Sequence, residues 1–474
     1  MRSEQLPVEF MRRNRVLPCG KGKFYITRST PFYILEDLRL IYGEFDVELI
    51  DEDAFNEKME EYLSSIEGGV EEEGEIETSF SEDLLSGSDA PIIQLINSIF
   101  LKAIRVKASD IHFEPYEREV IVKFRLDGVL HEITKIPVKT YQKVVSRIKV
   151  ISRLNVAEKR LPQDGRIRVN IGKKQIDMRV STLPTVFGER VVIRLLDKSH
   201  KLLTLEELGF SGEDYKVFSS VIAKPHGLVL VTGPTGSGKS TTLYAALLKI
   251  WTPERNILTI EDPVEYQIEG INQVQVNPKI GLTFAAGLRS ILRQDPDIVM
   301  IGEIRDLETA EIAVRASMTG HLVLSTLHTN DAPSSIARLT DMGVEPFLVA
   351  SSLECVVAQR LVRRVCPDCS YTYKPSEKEA ELIRKVLGKE SPETLVRGKG
   401  CDKCLGTGYS GRIGIYQVMR IDEEMRSLIT RTSETERIRE LAFRKGMKTL
   451  LYDGLEKVVS GITTVEEVLQ VAGK

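Results

Sequence analysis

At about 150 residues per domain, the 474 residues of this chain predict roughly three domains, each large enough to bury a core without disulfides. Sixty-five Lys and Arg against 69 Asp and Glu leave a formal charge of −4, which excludes a global pull toward nucleic acid but not a local basic patch. With 42% hydrophobic and 28% charged residues, the chain is too apolar to be disordered throughout.

No apolar run approaches the roughly 20 residues that span a bilayer; the best candidate, Val344 to Val362, is broken by Glu345, Glu354, Gln359 and Arg360. The N-terminal MRSEQLPVEFMRRNRVLPCG has no apolar core ending in small residues, so no secretory signal is expected and the cytosol is the predicted compartment.

In chain order, residues 1–65 predict a small N-terminal unit with a basic stretch through Arg12, Arg13 and Arg15. Residues 66–90 carry Glu67, Glu71, Glu72, Glu73, Glu75, Glu77, Glu82, Asp83 and Asp89 without one Lys or Arg and read as a solvated linker. Over 91–200, PIIQLINSIFLKAI has helical spacing, and VIVKFRLDGVL and QIDMRVSTLP alternate as strands do, predicting an α+β unit. A connecting segment, 201–226, follows. From 227 to 365, GLVLVTG, NILTIED, DIVMIGE and HLVLSTLH are short β-rich runs separated by helical stretches, the pattern of an α/β parallel sheet covered on both faces. A cysteine-rich segment, 366–410, precedes 411–474, a C-terminal region expected to be helical, its last fifty residues peripheral.

Gly233-Pro234-Thr235-Gly236-Ser237-Gly238-Lys239-Ser240 fits GxxxxGK[ST] and lies between a strand-like and a helix-compatible run, the context that a phosphate-binding loop demands. Its glycines let successive N–H groups face phosphate oxygens. Lys239 can reach the β and γ phosphates, the Ser240 hydroxyl can ligate Mg²⁺, and Thr241 follows at the helix start.

Each of the other runs ends in polar residues, where an open parallel sheet binds ligands. Glu303 is the acid expected to orient or deprotonate the attacking water; the bland alternative is a solvated carboxylate. Gly302 stands where the usual pattern places a metal-holding Asp, so Mg²⁺ must rely on Ser240, phosphates, water and Asp262 or Glu303. Asp297 lies at the wrong end of its strand. For Glu261, Asp262 and Glu265, metal or water positioning stands beside simple capping and salt-bridge roles. His321 and His328 bracket one strand about 23 Å apart, so only His328, at the carboxyl end, is a candidate sensor of the γ-phosphate; His321 faces a neighbouring subunit or serves the fold.

GPTGSGKSTT, ILTIEDPVEY, LRQDPDIVMIGEIRD and GHLVLSTLHTNDA together resemble the secretion and type IV pilus assembly ATPases over about 91–474. In that family they are the Walker A, aspartate box, atypical Walker B and histidine box. The resemblance implies a RecA-like P-loop core in a homohexameric ring, with ATP between that core and a preceding PAS-like domain, which SDIHFEP, RLPQDGRI and RVSTLPTVFGERVVIRLL match. It also implies arginines that reach the γ-phosphate from another domain or subunit: Arg179 and Arg194 first, with Arg289, Arg293, Arg305 and Arg338 as interface or phosphate contacts.

Cys366, Cys369, Cys401 and Cys404 form two CxxC pairs that can supply four thiolates to a structural zinc ion; the 31 intervening residues must fold back to bring them together. By resemblance, secretion and pilus-extension ATPases carry this module. Cys19 and Cys355 are expected to be buried hydrophobes. LPVEFMRRNRVLP resembles the start of type II secretion ATPases, whose N-terminal domain docks on the cytoplasmic part of an inner-membrane partner; no RLGxxL pattern typical of pilus-extension ATPases occurs. The expectation is therefore a type II secretion motor on a membrane platform, with pilus extension as the alternative and a RecA-like nucleic-acid translocase as the reading from another class.

Overall fold

The computed structural model describes residues 11, 14–20, 23–31, 34–35, 38–39, 45–66, 76–77, 90–171, 174–197, 202–432 and 434–473. Most of the acidic stretch 66–90 and part of LPVEFMRRNRVLP lie outside them. Two compact units divide the chain: Met1–Phe124 with His131–Ser199, and Arg125–Leu130 with His200–Lys474.

In the first unit, β1 (Val16–Gly20), β2 (Lys23–Ile26) and β3 (Asp46–Leu49) form a three-stranded sheet, and the helix Glu52–Ile66 follows. Phe24, Phe55 and Met59 belong to its small core. A second sheet has the order β4-β8-β9-β10-β5-β6-β7, from β4 (Ile76–Glu77), β5 (Asp110–Pro115), β6 (Glu119–Leu126), β7 (Val129–Pro137), β8 (Gln163–Ile171), β9 (Lys174–Thr185) and β10 (Gly188–Asp197). Its alternation is that of a sheet with one buried face: Val120, Val122 and Phe124 are fully buried on β6 while their neighbours are not. Helices Ala90–Arg105 and Val138–Ile151 bury Ile96, Ile99, Tyr141 and Val144. The expected α+β unit is thus present, and two residues of the acidic stretch pair with it, Ile76 opposite Ile171.

The second unit is organised by the order β13-β12-β14-β15-β11-β16-β19. The four runs singled out in the sequence are β11 (Gly227–Thr232), β12 (Ile257–Glu261), β14 (Ile298–Ile301) and β15 (Leu322–Leu327), adjacent and parallel. Alternate residues go to opposite faces: Leu228 and Leu230 join one core with Val299, Ile301 and Val323, whereas Val229 and Val231 join another with Met300 and Leu324. Burial on both faces is why these strands read as mainly apolar runs, their few hydroxyl side chains being hydrogen-bonded.

Three further strands flank this block: β13 (Asn272–Gln275), β16 (Leu353–Val365) and β19 (Tyr409–Arg420), the last antiparallel to β16. The broken apolar run Val344 to Val362 is a helix, Pro346–Ser352, leading into β16. Glu345 is exposed, whereas Glu354 and Gln359 are buried with partners: Glu354 pairs with Lys224 and Arg426, and Gln359 accepts a 2.8 Å bond from Thr242 Oγ1. Among the described residues, no helix is long and apolar enough to cross a membrane.

The cysteine-rich segment leaves the sheet after β16 and returns into β19, carrying β17 (Ser370–Tyr373), β18 (Leu395–Gly398) and the helix Glu377–Leu387. The region 411–474 differs from the helical, peripheral expectation. It opens within β19, and Met425, Ile429, Ile438 and Leu441 of its helices complete one of the two main cores. The apolar stripe of those helices needs a face to cover, and the sheet supplies it.

Candidate functional site

The loop 233–240 sits at the carboxyl end of β11, and the helix Lys239–Ile250 starts inside it. Gly233 (φ 150°) and Gly238 (φ 88°) hold backbone conformations that side chains rarely adopt, and a Cβ at Gly233 would stand 2.5 Å from Gln359 O. Pro234, Thr235 and Gly236 are exposed, Gly238 and Thr241 half-buried, and Ser240 exposed at the first helical turn. Ser237 is buried with no partner for its hydroxyl among the described residues, an orphan donor inside the loop that fits a phosphate oxygen.

Lys239 is 9% exposed, and its Nζ donates to Gly233 O (2.8 Å) and Pro234 O (3.0 Å). Burial pushes its pKa down to about 8, with Glu303 opposing the shift and Arg360 adding to it.

Glu303 follows β14, two strands from β11 and one from β15. Thr326 Oγ1 donates to Gly302 O (2.7 Å) and Ile304 N to Thr326 O (3.1 Å), so the carboxylate rises from backbone locked to β15. Glu303 Oε2 lies 3.4 Å from His328 Nε2, and its other oxygen pairs with Arg305. The His328 ring stays about half exposed and the Glu303 side chain only 13% exposed. A sheltered carboxylate beside an imidazole, with a buried ammonium nearby, can orient water against a held phosphate.

Gly302 has a steric cause. A Cβ there would meet Ile260 O at 3.3 Å and Glu261 Cα at 3.4 Å, tighter than side chains normally pack. A side chain at this position would crowd the backbone of β12, which would have to give by a few tenths of an ångström, so glycine is the residue that fits without adjustment.

Glu261 belongs to a different setting. It is 4% exposed, accepts from Thr259 Oγ1 (2.6 Å) and Gln273 Nε2 (3.0 Å), and bonds the Tyr244 hydroxyl. Its oxygens are occupied by the fold, the structural alternative left open by the sequence. Asp262 is exposed just beyond it, within electrostatic reach of Arg305, and Glu265 is half-buried. Asp297 holds Asn256 N at 2.7 Å, and His321 Nδ1 lies 2.9 Å from Ala316 O, both serving the fold.

Arg179 and Arg194 are register partners on β9 and β10, and Arg166 on β8 stands opposite Arg179. Three arginines side by side on one face of a sheet repel one another unless an anion is present. Arg194 pairs with Asp110 at 3.0 Å; Arg166 and Arg179 have no ion-pair partner among the described residues. Sequence reasoning misses Arg166 because only strand register places it in this row. In the second unit Arg289 pairs with Glu308, Arg293 donates to Arg289 O (2.8 Å), and Arg338 is exposed.

The four cysteines meet: one ligand atom from each lies within 4.8 Å of every other, with Sγ separations of 4.0 Å (366–401), 3.9 Å (369–404) and 3.7 Å (401–404). A tetrahedral Zn–S distance of about 2.3 Å implies edges of about 3.8 Å, so the donors fit zinc. Burial would raise the Cys404 pKa, but bonds from Cys401 N (3.1 Å) and Gly408 N (3.2 Å) help bring it down to about 6, favouring the thiolate that a metal needs. Cys355 is fully buried, as expected; Cys19 is only partly so.

The family described as "Type II/IV secretion system protein" matches residues 86–470. Type II secretion system protein E of Pseudomonas aeruginosa is 55% identical over 392 residues, 82% of this chain and 78% of that one. Type IV pilus assembly ATPase PilB of Myxococcus xanthus is 44% identical over 486 residues, 98% of this chain and 85% of that one. Among solved structures, the pilus retraction motor PilT with bound ADP is similar at a TM-score of 0.53 and 25% identity, covering 79% of this chain and 96% of that one.

Proposed function

Because the chain belongs to the Type II/IV secretion system protein family, we propose that it is the ATP-hydrolysing motor of a type II secretion system, a homohexamer that powers pseudopilus assembly and protein export across the outer membrane. The 55% identity to a type II secretion system protein E supports this reading. The observation that carries the chemistry is Glu303 set against His328 and within electrostatic reach of Lys239 at the carboxyl ends of three adjacent strands.

In this reading the loop N–H groups, the Ser237 hydroxyl and the Lys239 ammonium hold the phosphates. Ser240, with Asp262 beyond, holds Mg²⁺, which supplies charge neutralisation at the phosphates. Glu303 orients or deprotonates the attacking water, and His328 senses whether the terminal phosphate is there. Arg179 and Arg194 close on the triphosphate of a neighbouring subunit as finger arginines, and their release after hydrolysis lets domains rotate. Cys366, Cys369, Cys401 and Cys404 hold a structural zinc. Residues 1–65 dock on the cytoplasmic domain of an inner-membrane secretion protein, which keeps the motor peripheral to that membrane beside its platform protein, and 66–90 serves as the tether. No nucleic acid takes part.

Deletion of the gene in its host tests the assignment: loss of exoprotein release with surface pili intact is expected. The reverse outcome would establish pilus extension, the secondary reading that the similarity to PilB keeps in view. Hydrolysis stimulated by single-stranded DNA would overturn both.

A further inference from the structure

The segment after His328 is tied to the phosphate loop from two sides. On one side is Thr232, the last residue of β11: its Oγ1 accepts from Thr329 N at 2.8 Å and lies 2.7 Å from Thr329 Oγ1. On the other is Arg360 of β16, the strand that flanks β11 opposite β15. One Arg360 terminal nitrogen donates to Asn330 O (3.0 Å) and Asn330 Oδ1 (3.3 Å), the other to Gln359 O (3.1 Å). The second nitrogen abuts the loop itself, since a Cβ on Gly233 would stand 3.1 Å from it.

Arg360 is 8% exposed. Its charge and that of Lys239 repel each other, with Glu303 acting on Lys239 and Asp331 on Arg360 in the opposite sense. Two sheltered cations with so few anions are poorly suited to stabilising a strand; an apolar residue would fill the space at less cost. A planar fork that bonds two nearby backbone oxygens while packing on a glycine does what lysine or leucine cannot.

We propose that Arg360 is a positioning residue for ATP hydrolysis: its guanidinium, seated against Gly233 and forked onto Asn330, fixes where the segment beginning at His328 stands relative to the phosphates. The inference rests on the reading of Glu303 and His328 as acting at the terminal phosphate. Asn330 is two residues beyond His328, so slack at Asn330 is slack at the imidazole beside Glu303.

The full chain carrying Arg360→Lys, Arg360→Gln or Thr329→Val, with Glu303→Gln as reference, is assayed for kcat and for binding of a non-hydrolysable ATP analogue from neutral to alkaline pH. Both Arg360 variants are expected to lose about tenfold or more in kcat while binding changes by less than about threefold, since a displaced catalytic group affects rate more than affinity. Thr329→Val, which removes the hydroxyl contact of the other tie and leaves Thr329 N donating to Thr232 Oγ1, loses less. The alkaline limb of binding, set by Lys239, moves upward in Arg360→Gln, where a neighbouring cation is lost, and stays in place in Arg360→Lys, a split that loss of packing alone does not produce. Full kcat in Arg360→Lys, or kcat and binding falling in parallel in all three variants, overturns the proposal; should Arg360→Gln fail to fold, the other two decide. Turnover retained by Glu303→Gln defeats the reading of the site and the inference with it, whereas an inactive Glu303→Gln beside a fully active Arg360→Lys removes the inference alone.

Discussion

Glu261 and Glu303 stand at the carboxyl ends of neighbouring parallel strands, β12 and β14, each after a mainly apolar run, and their surroundings could hardly differ more. Glu261 is enclosed by Thr259, Gln273 and the Tyr244 hydroxyl, and Tyr244 belongs to the helix that starts in the phosphate loop. It braces that helix against the sheet. Among the described residues, Glu303 meets side chains that can be cationic, His328, about half exposed, and Arg305, largely exposed. Residue type and strand end alone do not make a catalytic acid; what decides is whether the fold has already used the carboxylate's lone pairs.

The sharpest way to break this contrast is to neutralise each acid in turn. Glu303→Gln is expected to lower steady-state kcat about 10²–10⁴-fold with little change in ATP-analogue affinity, whereas Glu261→Gln keeps turnover near the parent value. The second variant instead loses about 1–3 kcal/mol of stability in denaturant unfolding, because a buried hydrogen-bond network is left mismatched. Lys239→Ala comes next, weakening analogue binding about 10–100-fold in equilibrium titration, the worth of a charge-assisted contact.

The pH dependence sharpens the same point from the side of the base. Lys239 is a cation below its pKa of about 8 and neutral above it. Nucleotide affinity should therefore hold through neutral pH and fall as pH rises past about 8, approaching tenfold per unit; flat affinity to strongly alkaline pH would show that the ammonium is not needed. The smallest effect on chemistry is expected at the cysteines. Cys366→Ser or Cys401→Ser should lower bound zinc by metal analysis and the melting temperature by calorimetry while leaving the core's nucleotide affinity unchanged; metal-free protein of parent stability would remove the zinc assignment.

Much of the second unit was legible in the sequence for physical reasons. Strands buried on both faces must be mainly apolar, a phosphate loop must have glycines at fixed offsets, and a four-thiolate centre must have four cysteines. The features that stayed hidden depend on distant partners. β16 does not look like a central strand because Glu354, Gln359 and Arg360 interrupt it; Glu354 and Gln359 are met by Lys224 and Thr242 from 130 and 117 positions earlier, and Arg360 by Asn330, 30 positions earlier. The enclosure of Glu261 depends on Tyr244, 17 residues away, and on Gln273, 12 away. Arg166 joins Arg179 and Arg194 only through antiparallel register, which a one-residue slip would abolish. The strand Tyr409–Arg420 is masked in the sequence by the four helices between Glu423 and Ala472, whose period dominates the region.

The proposed mechanism stands or falls on Glu303, and rapid-quench single-turnover hydrolysis of ATP by the assembled Glu303→Gln protein tests it most directly. ATP that is bound and recovered uncleaved over many parent turnover times is the predicted result. Cleavage in one burst at the parent rate would contradict it, by showing that the water at the γ-phosphate is handled by another group.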